Sequence, residues 1–382
     1  MLNLKRVLKM DFEKFIKLFK FCITSRTLRR IRGDPPQFYI FFILLSFAVS
    51  IFNFFVINNI AKIIQDDNVD IMKIFFTILM CLGYTQLLLK NFAVTPFHDD
   101  VEELLDWIQY RHLKIEEDDI IQKVSNEESA KALKYSLLFF KIYLALFAIC
   151  AVLVPLHFAL SDYLIIAIPG LDQESTRFTH KIVTVIFAII AGYWTTSSDS
   201  GVVFIGIYVI FFMKSVNRLI NIFAENPEVP KRPRFLNRII EKHVEMIKIL
   251  NIFNEIMKFI SLAQLVCSTL IFLSIIFVIQ IFPNNLLLYF MLSTLLSQLA
   301  LLCVFGEIIR SESEQIFIKL YQTNWYDLSV KEQRVILFMM ANSVRVIGLK
   351  AGGLYDIGLM SLVQIVKLSA SYAAIIMTFT EK

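Results

Sequence analysis

Long apolar segments alternate with charged segments along the whole chain, and each apolar segment contains at most one Asp, Glu, Lys or Arg. A helix needs about 20 mostly apolar residues to cross a hydrocarbon layer roughly 30 Å thick. The fifth segment is long enough for two crossings and is divided by Pro283-Asn284-Asn285. The pattern predicts seven transmembrane helices, in residues 38–57, 74–89, 142–161, 182–213, 259–306 (two helices) and 357–380.

The fourth segment, residues 182–213, is longer than a membrane crossing requires. At 1.5 Å per residue a helix of this length extends about 48 Å, so we expect its end to project into the cytoplasm. Its one charged residue, Asp199, has two interpretations. It is either a functional carboxylate within the membrane or a helix-packing partner at the inner interface.

The last segment, residues 357–380, combines a spanning length with one polar face. A membrane helix of this kind hides its polar stripe in a bundle or turns it toward water. Bulky apolar groups near its end fit a pore with a hydrophobic constriction, whereas a helix–helix packing seam explains the small residues equally well. The residues that share an arc of about 80° on this helix are Gln364, Lys367, Ser371, Ile375 and Thr378.

Composition narrows the class of protein. Apolar residues make up 57% of the chain and 36 residues are Phe, which is too apolar for a soluble domain of 382 residues. An all-α polytopic membrane protein is therefore predicted. Nucleotide-binding, zinc-protease and CxxC motifs are lacking and the five histidines are scattered, so we expect no enzyme, no cofactor and no metal site. The five cysteines, none in a predicted outer loop, imply no disulfide framework.

The distribution of Lys and Arg predicts how the helices face. The predicted outer loops contain two, two and no basic residues. The positive-inside rule therefore places the N-terminus in the cytoplasm and the C-terminus outside, the reverse of a G-protein-coupled receptor. The predicted inner segments contain ten, six, nine and six basic residues, in 1–37, 90–134, 214–258 and 310–350.

The segments outside the membrane complete the predicted organisation. A segment at 335–346 is too short to span, and Tyr321 and Trp325 would expose apolar surface at cytoplasmic level, so we expect both residues to lie in a subunit interface. The predicted divisions are a cytoplasmic N-terminal arm (1–37), six transmembrane helices with cytoplasmic extensions (38–310), a cytoplasmic anchor segment (311–353) and the seventh helix (354–382).

The C-terminal residues resemble the signature of insect odorant receptors. Five residues separate Ser371-Tyr372 from Thr378-Phe379, which is also the spacing of the Thr-Tyr-x5-Gln-Phe ending of the related gustatory receptors. The residues that carry the odorant receptor resemblance are Ala351-Gly352-Gly353-Leu354-Tyr355, Leu359 and Lys367-Leu368-Ser369-Ala370-Ser371-Tyr372.

The resemblance implies a ligand-gated, non-selective cation channel, assembled as a tetramer around a pore lined by the seventh helix. It places the gate at Ile375, Thr378 and Phe379, with Ser371 and Gln364 on the same path. The family's shared co-receptor (Orco) has a long cytoplasmic insertion for which residues 214–258 leave no room. The resemblance therefore implies a ligand-tuning subunit. This subunit would form a heterotetramer with the co-receptor in the plasma membrane of olfactory dendrites. The alternatives are a gustatory receptor channel subunit and a receptor that couples to a cytoplasmic transducer.

The resemblance also implies an odorant pocket in the outer half of helices two, three, four and six. Apart from Asp199 and Lys367, the spans contain no ionised side chain. A buried ligand charge would then lack compensation, so a small neutral volatile is the expected ligand. The expected pocket residues are Phe75, Phe76, Phe147, Ala151, Val154, Phe158, Val183, Thr184, Phe187, Tyr289, Phe290 and Ser293.

Overall fold

The computed structural model describes residues 2–30, 36–65, 70–160, 163–226, 229 and 234–380. Within these ranges the chain is almost entirely helical, which confirms the predicted all-α class. The α-helices are α1 (Leu2–Thr27), α2 (Pro36–Ile64), α3 (Ile71–Val94), α4 (His98–Leu113), α5 (Asp119–Leu160), α6 (Arg177–Glu225), α7 (Phe235–Ile281), α8 (Leu286–Tyr321), α9 (Val330–Ser343) and α10 (Leu359–Thr380). Two 3-10 turns, Thr95–Phe97 and Trp325–Asp327, and two short strands, β1 (Lys350–Ala351) and β2 (Tyr355–Asp356), complete the described elements.

Each predicted membrane span falls within one of these helices: α2, α3, α5, α6, α7, α8 and α10. By length and composition, five helical segments of the described residues can cross a membrane, and Leu359–Tyr372 is a shorter apolar helix. The remaining predicted span lies in α5, where some side chains fall outside the description. The five segments are Tyr39–Ile64, Ile71–Leu113, Arg177–Glu225, Phe235–Ile281 and Leu286–Tyr321.

Most of these helices continue well beyond one membrane crossing, and this divides the bundle into two halves. We call the half that contains α4, α9 and the β1–β2 hairpin the anchor half, and the half that contains the α5–α6 loop and the Pro283 turn the outer half. The anchor half is built around a large apolar cluster, here the anchor cluster, to which α1 and every helix from α3 to α10 contribute.

Two smaller clusters fill the outer half. The first, here the outer cluster, joins α3, the end of α5, α7 and α8 through residues such as Phe76, Phe158 and Leu288. The second, here the α2 cluster, packs α2 against α3 and against Trp194 of α6. The space between these two clusters contains the cavity described below.

The N-terminal arm is a helix that packs into the anchor cluster, which the sequence analysis did not predict. Phe12, Phe15 and Phe19 of α1 are buried, and the ring of Phe19 stacks on Phe204 of α6 at 3.9 Å. Gly201 of α6 permits this approach, because a Cβ atom there would lie 2.8 Å from the side chain of Ile23. The basic arm is therefore part of the folded core.

The predicted outer loop between α5 and α6 packs into the outer half. Residues 164–167 are buried, and the amide of Ala167 donates a hydrogen bond to the carbonyl of Phe55. The side chains of Asn58 and Asn59 in α2 donate to the carbonyls of Ala167 and Leu164, each at 2.9 Å. These bonds satisfy the backbone of a loop that would otherwise bury unpaired polar groups.

The segment between α9 and α10 contains a tight hairpin. Lys350 pairs with Asp356 and Ala351 with Tyr355 in an antiparallel register. Gly352 and Gly353 form the turn with φ of 59° and 78°, a left-handed conformation that favours glycine. The amide of Gly352 donates to the carbonyl of Lys258 in α7, so the hairpin fixes the start of α10 on the bundle.

Candidate ligand cavity and pore helix

A cavity of about 250 Å³ lies between the outer cluster and the α2 cluster. Five helices surround it, and most of its wall is aliphatic or aromatic. Small residues such as Gly83, Ala188 and Gly192 leave the space that larger side chains would fill. The lining residues are Leu79, Met80, Gly83, Tyr84, Gln86, Leu87, Lys90, Val154, Ala188, Ala191, Gly192, Thr195, Ile271, Ile275, Phe290, Met291, Thr294, Leu295 and Gln298.

The cavity ends at a buried ion pair. The ammonium group of Lys90 in α3 contacts both carboxylate oxygens of Asp199 in α6, at 3.1 and 3.2 Å. The hydroxyl of Tyr143 in α5 donates to the same carboxylate at 3.2 Å. The three residues hold α3, α5 and α6 together, which supports the packing interpretation of Asp199. A buried pair of this kind needs both partners, because either charge alone would lack compensation.

A second, smaller cavity of about 70 Å³ lies on the far side of this ion pair. Lys90 and Gln298 line both cavities, whereas Asp199 and Tyr143 line only the second. The rest of its wall comes mainly from apolar side chains, among them Phe253 and Phe305. The ion pair therefore separates a larger outer cavity from a smaller one beside the anchor cluster.

Only part of the predicted pocket lines the larger cavity. Val154 and Phe290 do so, whereas Phe75, Phe76 and Phe158 are buried in the outer cluster. Of the remaining predicted residues, Val183 and Phe187 pack on the α2 cluster, and the hydroxyl of Thr184 donates to the carbonyl of His180. Tyr289 and Ser293 are exposed. The side chains of Phe147 and Ala151 lie outside the described part of the structure.

The cavity is displaced from the predicted residues toward the anchor half along α3, α6 and α8. The physical reason is that the outermost level is already filled. The buried α5–α6 loop inserts Ile165 into the outer cluster and Ile166 into the α2 cluster. The small and polar residues inside the spans, Gly83, Gly192 and Gln298 among them, are the signal that could have located it.

The polar stripe of α10 faces away from the subunit's own helices. Ser361, Ile365 and Ser369 form the buried face of this helix. Gln364, Lys367 and Ser371 are exposed, and Ile375 is 50% exposed. The backbones of Thr378 and Phe379 are helical, and their side chains lie outside the description. The stripe is therefore not a packing seam within the subunit.

Two close contacts position α10. A Cβ atom at Gly306 of α8 would collide with the carbonyl of Ile357, so the two backbones touch there. The Tyr355 hydroxyl donates to the side-chain oxygen of Gln364 at 2.8 Å, which fixes one member of the stripe. The start of α10 is thus held on α8 and the hairpin.

The anchor half exposes apolar side chains at α9 and at the end of α8. Helix α9 buries Ile336, Met339 and Met340 and exposes Phe338 on its opposite face, where 69% of that residue is accessible. Tyr321 is 66% exposed. Trp325 is half-buried and packs on the subunit's own anchor cluster.

Polar contacts brace the extensions of the anchor half. The side chains of Glu116 and Lys242 join the α4–α5 connection to α7 at 2.6 Å. Burial of the Glu116 carboxyl opposes its ionisation, but the hydrogen bond from Lys242 and the nearby positive charges of Lys114 and Arg111 outweigh burial and lower its pKa. Among the described residues, no group of three or more His, Cys, Asp or Glu side chains could hold a metal ion.

Comparison with known proteins gives both sequence and structural matches. The family model described as 7tm Odorant receptor matches residues 69–370. Odorant receptor 85c of Drosophila melanogaster is 24% identical over 148 residues, which is 38% of each chain. Odorant receptor 33b of the same species is 25% identical over 145 residues, or 36% of this chain and 38% of the relative. The aligned part thus spans well under half the length of either relative.

Two solved structures share the fold over nearly the full length. The complex of the insect olfactory receptor OR5 from Machilis hrabei with eugenol has a TM-score of 0.76 at 12% identity, covering 96% of this chain and 98% of that chain. A second structure of OR5 has a TM-score of 0.73. At this identity the likeness concerns the fold alone.

These matches confirm the resemblance inferred from the C-terminal residues and the predicted fold class of a seven-helix membrane protein. Because the family model covers most of the chain, from residue 69 to residue 370, this protein belongs to the seven-transmembrane odorant receptor family.

Proposed function

We propose that this chain is the ligand-tuning subunit of an odorant-gated, non-selective cation channel that assembles with the family's co-receptor, Orco. The observation that carries the proposal is the cavity of about 250 Å³ enclosed by five helices of an odorant receptor fold. Cavities of this kind, mostly apolar with a few polar groups, are the usual sites for small ligands.

The ligand of this cavity is a small neutral volatile. The cavity wall is mainly apolar, so burial of an apolar ligand surface contributes about 25 cal/mol per Å². The one charged group in the wall, Lys90, is already paired with Asp199. An ionised ligand would have to compete with that carboxylate or remain uncompensated, at a cost of several kcal/mol. The binding of eugenol by OR5, a receptor of the same fold, is consistent with this class of ligand.

Helix α10 lines the ion path. Its exposed polar stripe, Gln364 and Ser371 included, cannot face lipid without an energetic penalty, so water or a neighbouring subunit covers it. Four such helices around one axis form a water-lined pore, with Ile375, Thr378 and Phe379 at the gate. Hydrophobic side chains at a narrow point close such a pore by excluding water.

The anchor half provides the contacts between subunits. Tyr321 and the exposed face of α9 present apolar surface that a neighbour would bury, and Trp325 packs beside them as a support. Only the short stretch between Glu225 and Phe235 separates α6 from α7, which leaves no room for a co-receptor insertion. The chain therefore takes the ligand-binding position in a heterotetramer at the plasma membrane, with its N-terminus in the cytoplasm.

Expression with and without the co-receptor tests the function. The chain with co-receptor should give odorant-evoked cation current in isolated membrane patches, and the chain alone should give little. Robust current from the chain alone would contradict the obligate partnership. A second messenger response without any current in the patch would instead favour coupling to a cytoplasmic transducer.

Arginine substitutions test the pore helix in the same assay. Ile375→Arg should change ion permeation strongly because it places a charge on the stripe. The control, Met377→Arg, lies off the stripe and should mainly reduce insertion, by at most about 2.5–3.5 kcal/mol. Unaltered selectivity in both variants at matched surface expression would refute the pore assignment.

A further inference from the structure

The side-chain amide of Gln298, inside the membrane bundle, makes no hydrogen bond to another described residue. Gln298 lies in α8 and lines both cavities. Among the other polar residues of the wall, Gln86 donates to the hydroxyl of Ser268 and Lys90 contacts Asp199, whereas the buried hydroxyl of Tyr84 likewise has no partner among the described residues. Within the described part of the chain, the Gln298 side chain makes no hydrogen bond. A polar group left unpaired in an apolar site is costly, so its retention calls for a partner that the protein itself does not supply.

The wall of the larger cavity also changes character along its depth. On α3 the lining residues run from Leu79 near the outer end to Gln86 and Lys90 near the anchor half. On α8 they run in the same direction, from Phe290 to Gln298. Helix α6 repeats the order, because Ala188 and Ala191 precede Thr195. Three separate helices thus give the cavity an apolar outer end and a polar inner end.

We propose that the ligand carries one hydrogen-bond acceptor oxygen and binds with that oxygen toward Gln298. The amide Nε2–H of Gln298 donates to a carbonyl or ether oxygen, and the apolar body of the ligand lies between α3, α6 and α8 at the outer end. The Tyr84 hydroxyl in the same wall can donate to such an oxygen as well, because no described residue accepts from it. This inference rests on the proposed function, and it makes Gln298 a residue that determines specificity.

The proposal predicts different affinities for ligands of equal shape. A ketone and the alkene in which a methylene group replaces the carbonyl oxygen fill the same volume, but only the ketone accepts a hydrogen bond. The site should therefore prefer the ketone, because the alkene leaves the Gln298 amide unpaired. If water already satisfied that amide, the preference would not depend on Gln298.

Binding to the purified, detergent-solubilised full chain tests this directly and does not require channel assembly. The probes are straight-chain methyl ketones and their matched alkenes, with affinity measured by the ligand-dependent shift of thermal unfolding. Gln298→Met removes the amide at nearly constant size. It should weaken ketone binding about 3- to 10-fold, as loss of one hydrogen bond does, and leave alkene binding within about 2-fold.

Two controls keep the outcomes distinct. Gln280→Met makes the same change in a half-buried glutamine of α7 that lines neither cavity, and it should alter neither affinity. Ala191→Leu fills the cavity and should weaken ketone and alkene alike. If Gln298→Met leaves the ketone preference intact while Ala191→Leu abolishes binding, the Gln298 role is wrong and the cavity stands. If neither variant affects binding, or no probe binds the natural chain, both the cavity assignment and this inference fail.

Discussion

The anchor half and the outer half of the bundle are built from similar apolar residues, but the first is densely packed and the second contains a cavity. The anchor half joins nine helices in one continuous cluster, and the void at the contact of α1, α3, α4, α6 and α7 is only about 10 Å³. The outer half divides its apolar residues between two clusters and leaves about 250 Å³ between them. A densely packed region transmits displacements, whereas an open one accommodates a ligand. This difference in packing agrees with the proposed function, in which the outer half binds the ligand and the anchor half contacts the other subunits.

The largest expected effect is at the ion pair where the two halves meet. Lys90→Met leaves the buried Asp199 carboxylate without its cation and should lower the free energy of unfolding by about 3–5 kcal/mol. The triple variant Lys90→Met, Asp199→Leu and Tyr143→Phe removes the cation, the carboxylate and the tyrosine hydroxyl together and should be close to the natural chain. Thermal unfolding in detergent measures both, and equal loss in the two variants would show that the pair itself is not the stabilising feature.

Adding one methyl group to each half should sharpen the contrast in packing. At Gly306 in α8 the new Cβ collides with the backbone of Ile357, so Gly306→Ala should cost about 1–3 kcal/mol of stability. At Gly83 the new Cβ meets no atom within 4 Å, so Gly83→Ala should be neutral or stabilise α3 by up to about 1 kcal/mol. Unfolding midpoints of the two variants, compared side by side, test this; similar losses would contradict the difference between the halves.

Filling the outer cavity should affect the ligand more than the fold. Ala191→Leu places a larger side chain in the cavity wall and should weaken odorant binding by about tenfold, or about 1.4 kcal/mol. Its stability should change less, since the added atoms enter existing space. The control is Ala148→Leu on the exposed side of α5, which should leave affinity unchanged. Equal affinities in both variants would place the odorant elsewhere.

The smallest expected effect is a pH dependence confined to the anchor half. The pKa of Glu116 is lowered in the folded chain, so its ion pair contributes stability that is fully present above the unfolded pKa of about 4.3. That contribution is lost as the pH falls through the lower, folded pKa. Glu116→Gln should make the free energy of unfolding depend less on pH in this acid range. It should leave ligand affinity at neutral pH unchanged. An unaltered acid profile in the variant would mean that other carboxylates determine it.

The local sequence pattern predicted the membrane-spanning helices, but it did not predict which helices pack against each other. An apolar segment of spanning length predicts a helix wherever it lies, so all seven spans of this chain fall within observed helices. The same pattern did not predict the packing of α1, because Phe12, Phe15 and Phe19 are buried through contacts with the distant helices α4, α5 and α6. The resemblance of the C-terminal residues was sufficient to identify the family, since it lies in one continuous stretch.

The sequence by itself determined the helical class, the number of spans, the family and the polar face of α10. The tertiary structure decided where the chain has empty space, which charge Asp199 contacts and which glutamine borders both cavities. A span needs only its own residues to be apolar, whereas a cavity depends on what five distant segments leave unfilled. The buried α5–α6 loop is the clearest case, because its Ile165 and Ile166 occupy the outer level and the cavity therefore lies deeper, beside Lys90 and Gln298.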